Sequence, residues 1–249
     1  MNMRAFLKLT RVEIKLFFRE PYGAFFTLAF PLMLLFLFGA IYGNEPSPYF
    51  GGYGTVDVSV PAYTAMIIGT SGLLTLTITM AVYREFGILR RLRATPLRPQ
   101  TILSAQVVVI FLMTLLGMAL LVLAGKLVYH LRFDGNPLSV AAAFVLGSLS
   151  FFALGFVLAG LMPTARTAQV VGMVIFYPMI FLSGSAIPLE VMPEGVRSFA
   201  RFLPLTHVVT LLRGLWIGEA WSQHTTEVIV LLALLVVGVL VSIKTFRWE

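Results

Sequence analysis

Residues that could carry chemistry are sparse in this sequence and poorly grouped for it. The three histidines, His130, His207 and His224, are far apart and lack metal-ligand spacing, and no cysteine is present to supply a disulfide or a thiolate. No GxxxxGK[ST] phosphate loop occurs; if ATP drives this chain, another chain binds it. Two groupings remain. One is the arginine-rich segment Tyr83–Thr101, YREFGILRRLRATPLRPQT. The other is a hydroxyl series, Thr64, Ser71, Thr75 and Thr79, spaced to share one stripe of a helix. Neither holds a base and nucleophile pair, which argues against a membrane-embedded enzyme.

The elements that must position these residues are apolar. Hydrophobic residues make up 59% of the 249 and charged residues only 12%, about half the usual globular share. Six stretches, 24–42, 61–82, 102–125, 139–161, 169–189 and 225–243, approach the ~20 helical residues that cross a bilayer core. None carries an ionisable residue at its centre, where one would cost at least ~2.5–3.5 kcal/mol. Secondary transporters and channels need such groups or a filter sequence, and neither appears. The pattern predicts an all-α polytopic membrane protein, 1–249 forming one transmembrane domain, whose driving force comes from elsewhere.

The net charge of +7 is a topology signal. With the N-terminus inside and six spans following, 13 of the 18 Lys and Arg fall on the inner side, which places both termini in the cytoplasm. The basic segments then meet anionic lipid and a partner protein, not nucleic acid. The first apolar run is too long for a signal sequence and holds Pro31, so it reads as a retained span. Ahead of it, residues 3–20 predict an amphipathic helix with Arg4, Lys8, Arg11, Lys15 and Arg19 on one face and Phe6, Leu9, Leu16 and Phe17 opposite. Glu13 and Glu20 project from the apolar side. They either snorkel, or Glu13 pairs with an arginine of the next cytoplasmic loop.

The segment 43–60 is rich in Gly, Pro and Tyr and predicts an irregular outer cap. The hydroxyl stripe has two readings, helix packing or the lining of a pathway. In the arginine-rich loop a short helix is expected from Phe86 to Ala94, stopped before Pro96. The fifth span is interrupted by Pro178 and then by Ser183, Gly184 and Ser185, predicting a kinked or unwound outer half. Residues 186–222 suit two short helices folded back into the outer leaflet, with His207, Thr210 and Arg213 on one stripe. Trp216, Trp221 and Trp248 are expected at interfaces.

The loop REFGILRRLRATPLRP, followed two spans later by FYPMIFLSGSAIPLEVMPEGVRSFARFLPLTHVVTLLRGLWIGE, resembles the type-2 ABC transporter permeases, with the drug-export branch typified by daunorubicin/doxorubicin resistance permeases most similar. The resemblance covers nearly the whole chain. It implies the type-2 ABC permease (ABCG-like exporter) fold: six transmembrane helices, an N-terminal connecting helix at 3–20, a cytoplasmic coupling helix at 84–96 and an outer re-entrant hairpin at 190–217. It also implies a second permease copy or paralogue and a separate ABC ATPase subunit that binds ATP and Mg, with no cofactor in this chain. By motif position, Glu85, Gly87, Leu89, Arg90, Arg91, Leu92, Arg93, Thr95 and Pro96 would couple to the ATPase, with Glu13 beside them. The second and fifth spans would line the route, implicating Ser71, Thr75, Thr79, Met173, Phe176 and Ile180. Pro188, Pro204, His207 and Arg213 would belong to the outer gate. The implied activity is ATP-driven export of a hydrophobic or amphipathic compound across a bacterial or archaeal cytoplasmic membrane. The alternative within the family is export of a lipid-linked glycan or cell-envelope polymer.

Overall fold

The computed structural model describes residues 3–93 and 99–245, with the side chains of residues 3–5, 22, 90, 92, 93, 99 and 100 outside that description. Every regular element among the described residues is helical. Six helices are long and apolar enough to cross a membrane: Phe25–Tyr42, Thr55–Glu85, Thr101–Tyr129, Pro137–Leu161, Ala165–Leu182 and Trp221–Thr245, here called the first to sixth spans. The chain is an integral membrane protein. Helix Met3–Arg19 precedes the spans, a short helix Ile88–Arg93 follows the second, and helices Glu194–Ala200 and Pro204–Trp216 form a hairpin between the fifth and sixth.

The second span is the centre of the molecule. Most of it is buried inside the protein, whereas few residues of the sixth are buried. Its sequence explains the placement, because Gly69 and Gly72 let neighbours approach its backbone. A Cβ on Gly72 would strike the backbone of Phe151 in the fourth span, and one on Gly155 would strike the Gly72 carbonyl. The Thr77 hydroxyl lies 3.2 Å from the carbonyl oxygens of both Gly72 and Gly155, tying the two spans at their closest approach.

Three expectations change. The second span begins at Thr55, not near residue 61, because Asn44 reaches back to cap it. Asn44 Oδ1 accepts from the backbone N–H of Val56 (2.9 Å) and Asp57 (3.1 Å). Asp57 is thereby drawn into the helix and fully buried. It is satisfied by donors from Asn44 Nδ2, Gly54 N and Arg132 N at 2.8–2.9 Å. Second, Thr70–Leu76 is π-helical, so the hydroxyl series does not keep one stripe through the second span. Third, the fifth span runs unbroken through Pro178 and unwinds only after Leu182. There the Ser185 hydroxyl and the Ala186 N–H return to the Ile180 carbonyl, which keeps the freed backbone paired inside protein.

The hairpin packs its second helix inward. Leu205, Val208, Leu211, Leu212 and Leu215 join the main apolar core with residues of the second, fourth and sixth spans. Trp216 is buried too: its ring meets Phe133 edge-on at 4.7 Å, and its Nε1 donates to the Arg132 carbonyl at 3.0 Å in the turn between the third and fourth spans.

Candidate functional site

Three groups of side chains could serve a function: a clamp at the C-terminal end of the second span, a groove between the first, second and fifth spans, and a pocket under the hairpin.

The clamp is made by two neighbours in sequence. The Arg84 guanidinium donates to the carbonyls of Ala159 (2.8 Å), Gly160 (3.5 Å) and Met162, the last acceptors of the fourth span. A cation at a helix C-terminus satisfies orphan carbonyls and opposes the helix dipole. Glu85 Oε2 accepts from the Ala165 N–H at 2.7 Å, the first residue of the fifth span, where an anion is equally favoured. One dipeptide thus holds both sides of the turn joining spans four and five.

Gly87, at φ +66°, then redirects the chain into helix Ile88–Arg93, a backbone state that glycine adopts without penalty. Leu89 is fully buried among Met80, Tyr83 and Ile102, which fixes the short helix against the spans, while Arg91 is exposed. Arg90, Leu92 and Arg93 lie in that helix by backbone; Thr95 and Pro96 fall outside the described residues.

Glu13 makes no ion pair among the described residues, and the side chains of Arg90, Arg93 and Arg98, candidates for its expected arginine partner, lie outside them. It is buried at 6% exposure, and the Tyr83 hydroxyl donates to its Oε2 at 2.6 Å. Burial pushes the Glu13 carboxyl above the ordinary carboxylate range, with the Tyr83 bond opposing the shift. Burial also raises Glu20, and the charge of Glu13 adds to it.

The groove, about 300 Å³, is lined by Phe26 of the first span, Thr70, Leu74, Thr75 and Ile78 of the second, and Met173 and Tyr177 of the fifth, with Arg19 and Glu20 at one end. Thr75 and Met173, expected in a pathway, both lie here. Thr79 lies in a smaller cleft next to Glu13. Three expected pathway residues face elsewhere. Ser71 accepts from the Thr114 hydroxyl of the third span at 2.8 Å, because the wide π-turn carries it to that side. Phe176 is buried against Gly69, where the missing Cβ makes room for its ring, and Ile180 is core.

Under the hairpin, a pocket of about 250 Å³ is bordered by Gly184, Glu190, Thr210, Arg213, Glu219 and His224. Arg213 Nη1 pairs with Glu190 Oε1 at 2.7 Å, and its guanidinium sits 5.9 Å from the Phe50 ring centre. His224 Nε2 lies 2.8 Å from Glu219 Oε2. Of the other expected gate residues, Pro188 caps the 3-10 turn Leu189–Val191 and Pro204 is the first residue of the hairpin's second helix. His207 sits apart from Arg213, 3.0 Å from the Arg201 carbonyl. Arg84, Gln106, Gln169, Glu190 and Tyr177 carried no individual signal in the sequence; opposite charges side by side at the end of an apolar stretch, Arg84–Glu85, are the one pattern that could have marked the clamp.

The chain belongs to the ABC-2 type transporter family, whose model matches residues 4–216. It is 25% identical to the transport permease YvfS assigned in Bacillus subtilis (strain 168) over 242 residues, 96% of each chain. It is 26% identical to the daunorubicin resistance ABC transporter permease protein DrrB1 of Streptomyces coeruleorubidus over 196 residues, 78% of this chain and 66% of that one. Nodulation protein J of Rhizobium leguminosarum bv. viciae is 32% identical over 99 residues, 40% of this chain and 38% of that one.

Proposed function

We propose that this chain is the membrane subunit of an ATP-driven exporter that moves a hydrophobic or amphipathic small molecule, with both termini in the cytoplasm. A separate ABC ATPase docks on the face carrying helix Ile88–Arg93, and a second permease, a copy or a paralogue, completes the unit. The observation that carries the reading is the groove at the second and fifth spans. Phe26, Leu74, Ile78 and Met173 supply adaptable apolar contact, and Thr70, Thr75 and Gln169 supply a few polar groups. That is the composition of a small-molecule site, and Met in particular suits loosely specified cargo. A volume of about 300 Å³ favours a small molecule over a polymer.

The clamp supports the coupling. A displacement of the short helix acts on Glu85 and Arg84, which hold the ends of the fifth and fourth spans. Movement at the ATPase therefore reaches the groove wall through Met173 and Tyr177 as a rigid-body shift. The test is ATP-dependent accumulation of a lipophilic dye in inside-out vesicles holding the permease and its ATPase. Met173→Trp, which fills the groove, should abolish accumulation while ATP hydrolysis persists. Unchanged accumulation in that variant would contradict the groove as the route.

A further inference from the structure

The charge around the groove is unbalanced. Glu20 borders both the groove and the adjoining cleft of about 20 Å³ that contains Glu13, a space large enough for one water. Arg19 borders the groove, so among the described residues two carboxyls share one cation along the lining of the two cavities. None of the ion pairs among the described residues involves Glu13, Arg19 or Glu20.

An unpartnered polar group points the same way. The Thr75 hydroxyl, 8% exposed, borders both cavities and has no hydrogen-bond partner among the described residues. The Gln106 side chain, 2% exposed, borders the cleft beside Glu13 and Tyr83. Buried polar atoms without partners are uncommon in proteins, and a bound group or a water that answers them is the ordinary reason.

Aromatic rings add to this. Phe26 and Tyr177 both face the groove, and ring faces attract cations while repelling anions. Burial holds the Glu13 carboxyl above its ordinary range, a cost that a bound positive charge would relieve.

We propose that the groove takes lipophilic cations, with the charge held by Glu20 and Glu13 behind it, and the apolar body held against Phe26, Leu74, Ile78 and Met173. This rests on the small-molecule export reading and narrows it to one charge class. A lone basic nitrogen would donate to the Glu20 carboxylate and to Thr75 Oγ1. A permanently charged cation would rely on the acids and the rings.

Tetraphenylphosphonium and tetraphenylborate have nearly the same size and shape and opposite charge, so they isolate the sign. Binding of each is measured to the full chain with its ATPase in zwitterionic lipid discs, with partition into empty discs subtracted. Tetraphenylphosphonium should bind saturably and at least about tenfold tighter than tetraphenylborate. Glu20→Gln should weaken the cation by about tenfold and leave the anion no weaker. Met173→Trp should remove saturable binding of the cation, and Met173→Leu, which keeps the volume, should retain it. Equal binding of the two ions, lost together in Met173→Trp, would overturn the charge selectivity and leave the groove as a site. Cation binding that survives Met173→Trp would overturn the groove itself, and with it the export route. Cation binding unchanged by Glu20→Gln would overturn the role of the carboxyl.

Discussion

Glu85 shows how one side chain can hold two jobs apart. Its family resemblance marks it as a coupling residue, and in the structure its carboxylate is engaged within the chain, at the Ala165 N–H. It therefore acts as a positioning residue that fixes the start of the fifth span to the end of the second. Glu85→Ala should cost only about 1 kcal/mol of stability, since one exposed hydrogen bond is lost. It should nevertheless cut dye transport on the order of tenfold, a coupling loss of about 1.4 kcal/mol. The ratio of dye moved to ATP hydrolysed is the measure, because a merely destabilised protein would lose both together. Glu13 poses the opposite case, a carboxyl whose cost is visible in pH. Its folded pKa lies above its unfolded value of about 4.3, so the folded state holds the proton more tightly. Stability from this group is fully present below the unfolded pKa and is lost as pH rises through the folded one. Glu13→Gln keeps an acceptor for the Tyr83 hydroxyl and removes the charge. Thermal unfolding in detergent should then occur at higher temperature than in the parent at neutral pH, with the difference vanishing in acid. A lower unfolding temperature at neutral pH would show that the carboxylate is stabilising.

At the scale of elements, the second span and its neighbours carry the architecture. The π-turn at Thr70–Leu76 widens the helix where Gly72 meets Gly155, and Thr77 bridges the carbonyls of both. The same turn carries Ser71 toward the third span and leaves Thr70, Leu74 and Thr75 on the groove. The fourth span can approach this closely only without a side chain at residue 155. Gly155→Ala should therefore push the spans apart and cost about 1–3 kcal/mol, the usual penalty of overpacking. A fall in thermal stability, accompanied by weaker dye binding in the groove behind the π-turn, is the expected result. An unchanged unfolding temperature would mean that the contact is looser than the geometry indicates.

For the whole molecule, the sequence carried the architecture well because the bilayer imposes a simple rule on it. Six apolar stretches long enough to cross, an amphipathic helix before them, a short helix after Gly87 and a hairpin around Pro204 are all direct consequences of composition and turn residues. Long-range capping and local helix geometry were less legible. Nothing in the segment 43–60 announces that Asn44 will cap a helix 11 residues away and draw Asp57 into the protein. No spacing rule for ordinary helices anticipates a π-turn, so Ser71 could not be separated from Thr75 by periodicity. Within the candidate site, Thr75 and Met173 are reached through the family resemblance, which has the second and fifth spans line the route, and both border the groove. Tyr83 as the partner of Glu13 depends on how the first helix docks, which no local pattern encodes. The central claim is that this membrane chain is driven by an ATPase on another chain. Its most direct test is to tag the C-terminus, extract the protein from its native membrane in mild detergent and identify what co-purifies. A P-loop ATPase at one copy per permease, crosslinked through residues of helix Ile88–Arg93, is the expected result. A permease that purifies alone, even after crosslinking at Arg91, would contradict the claim.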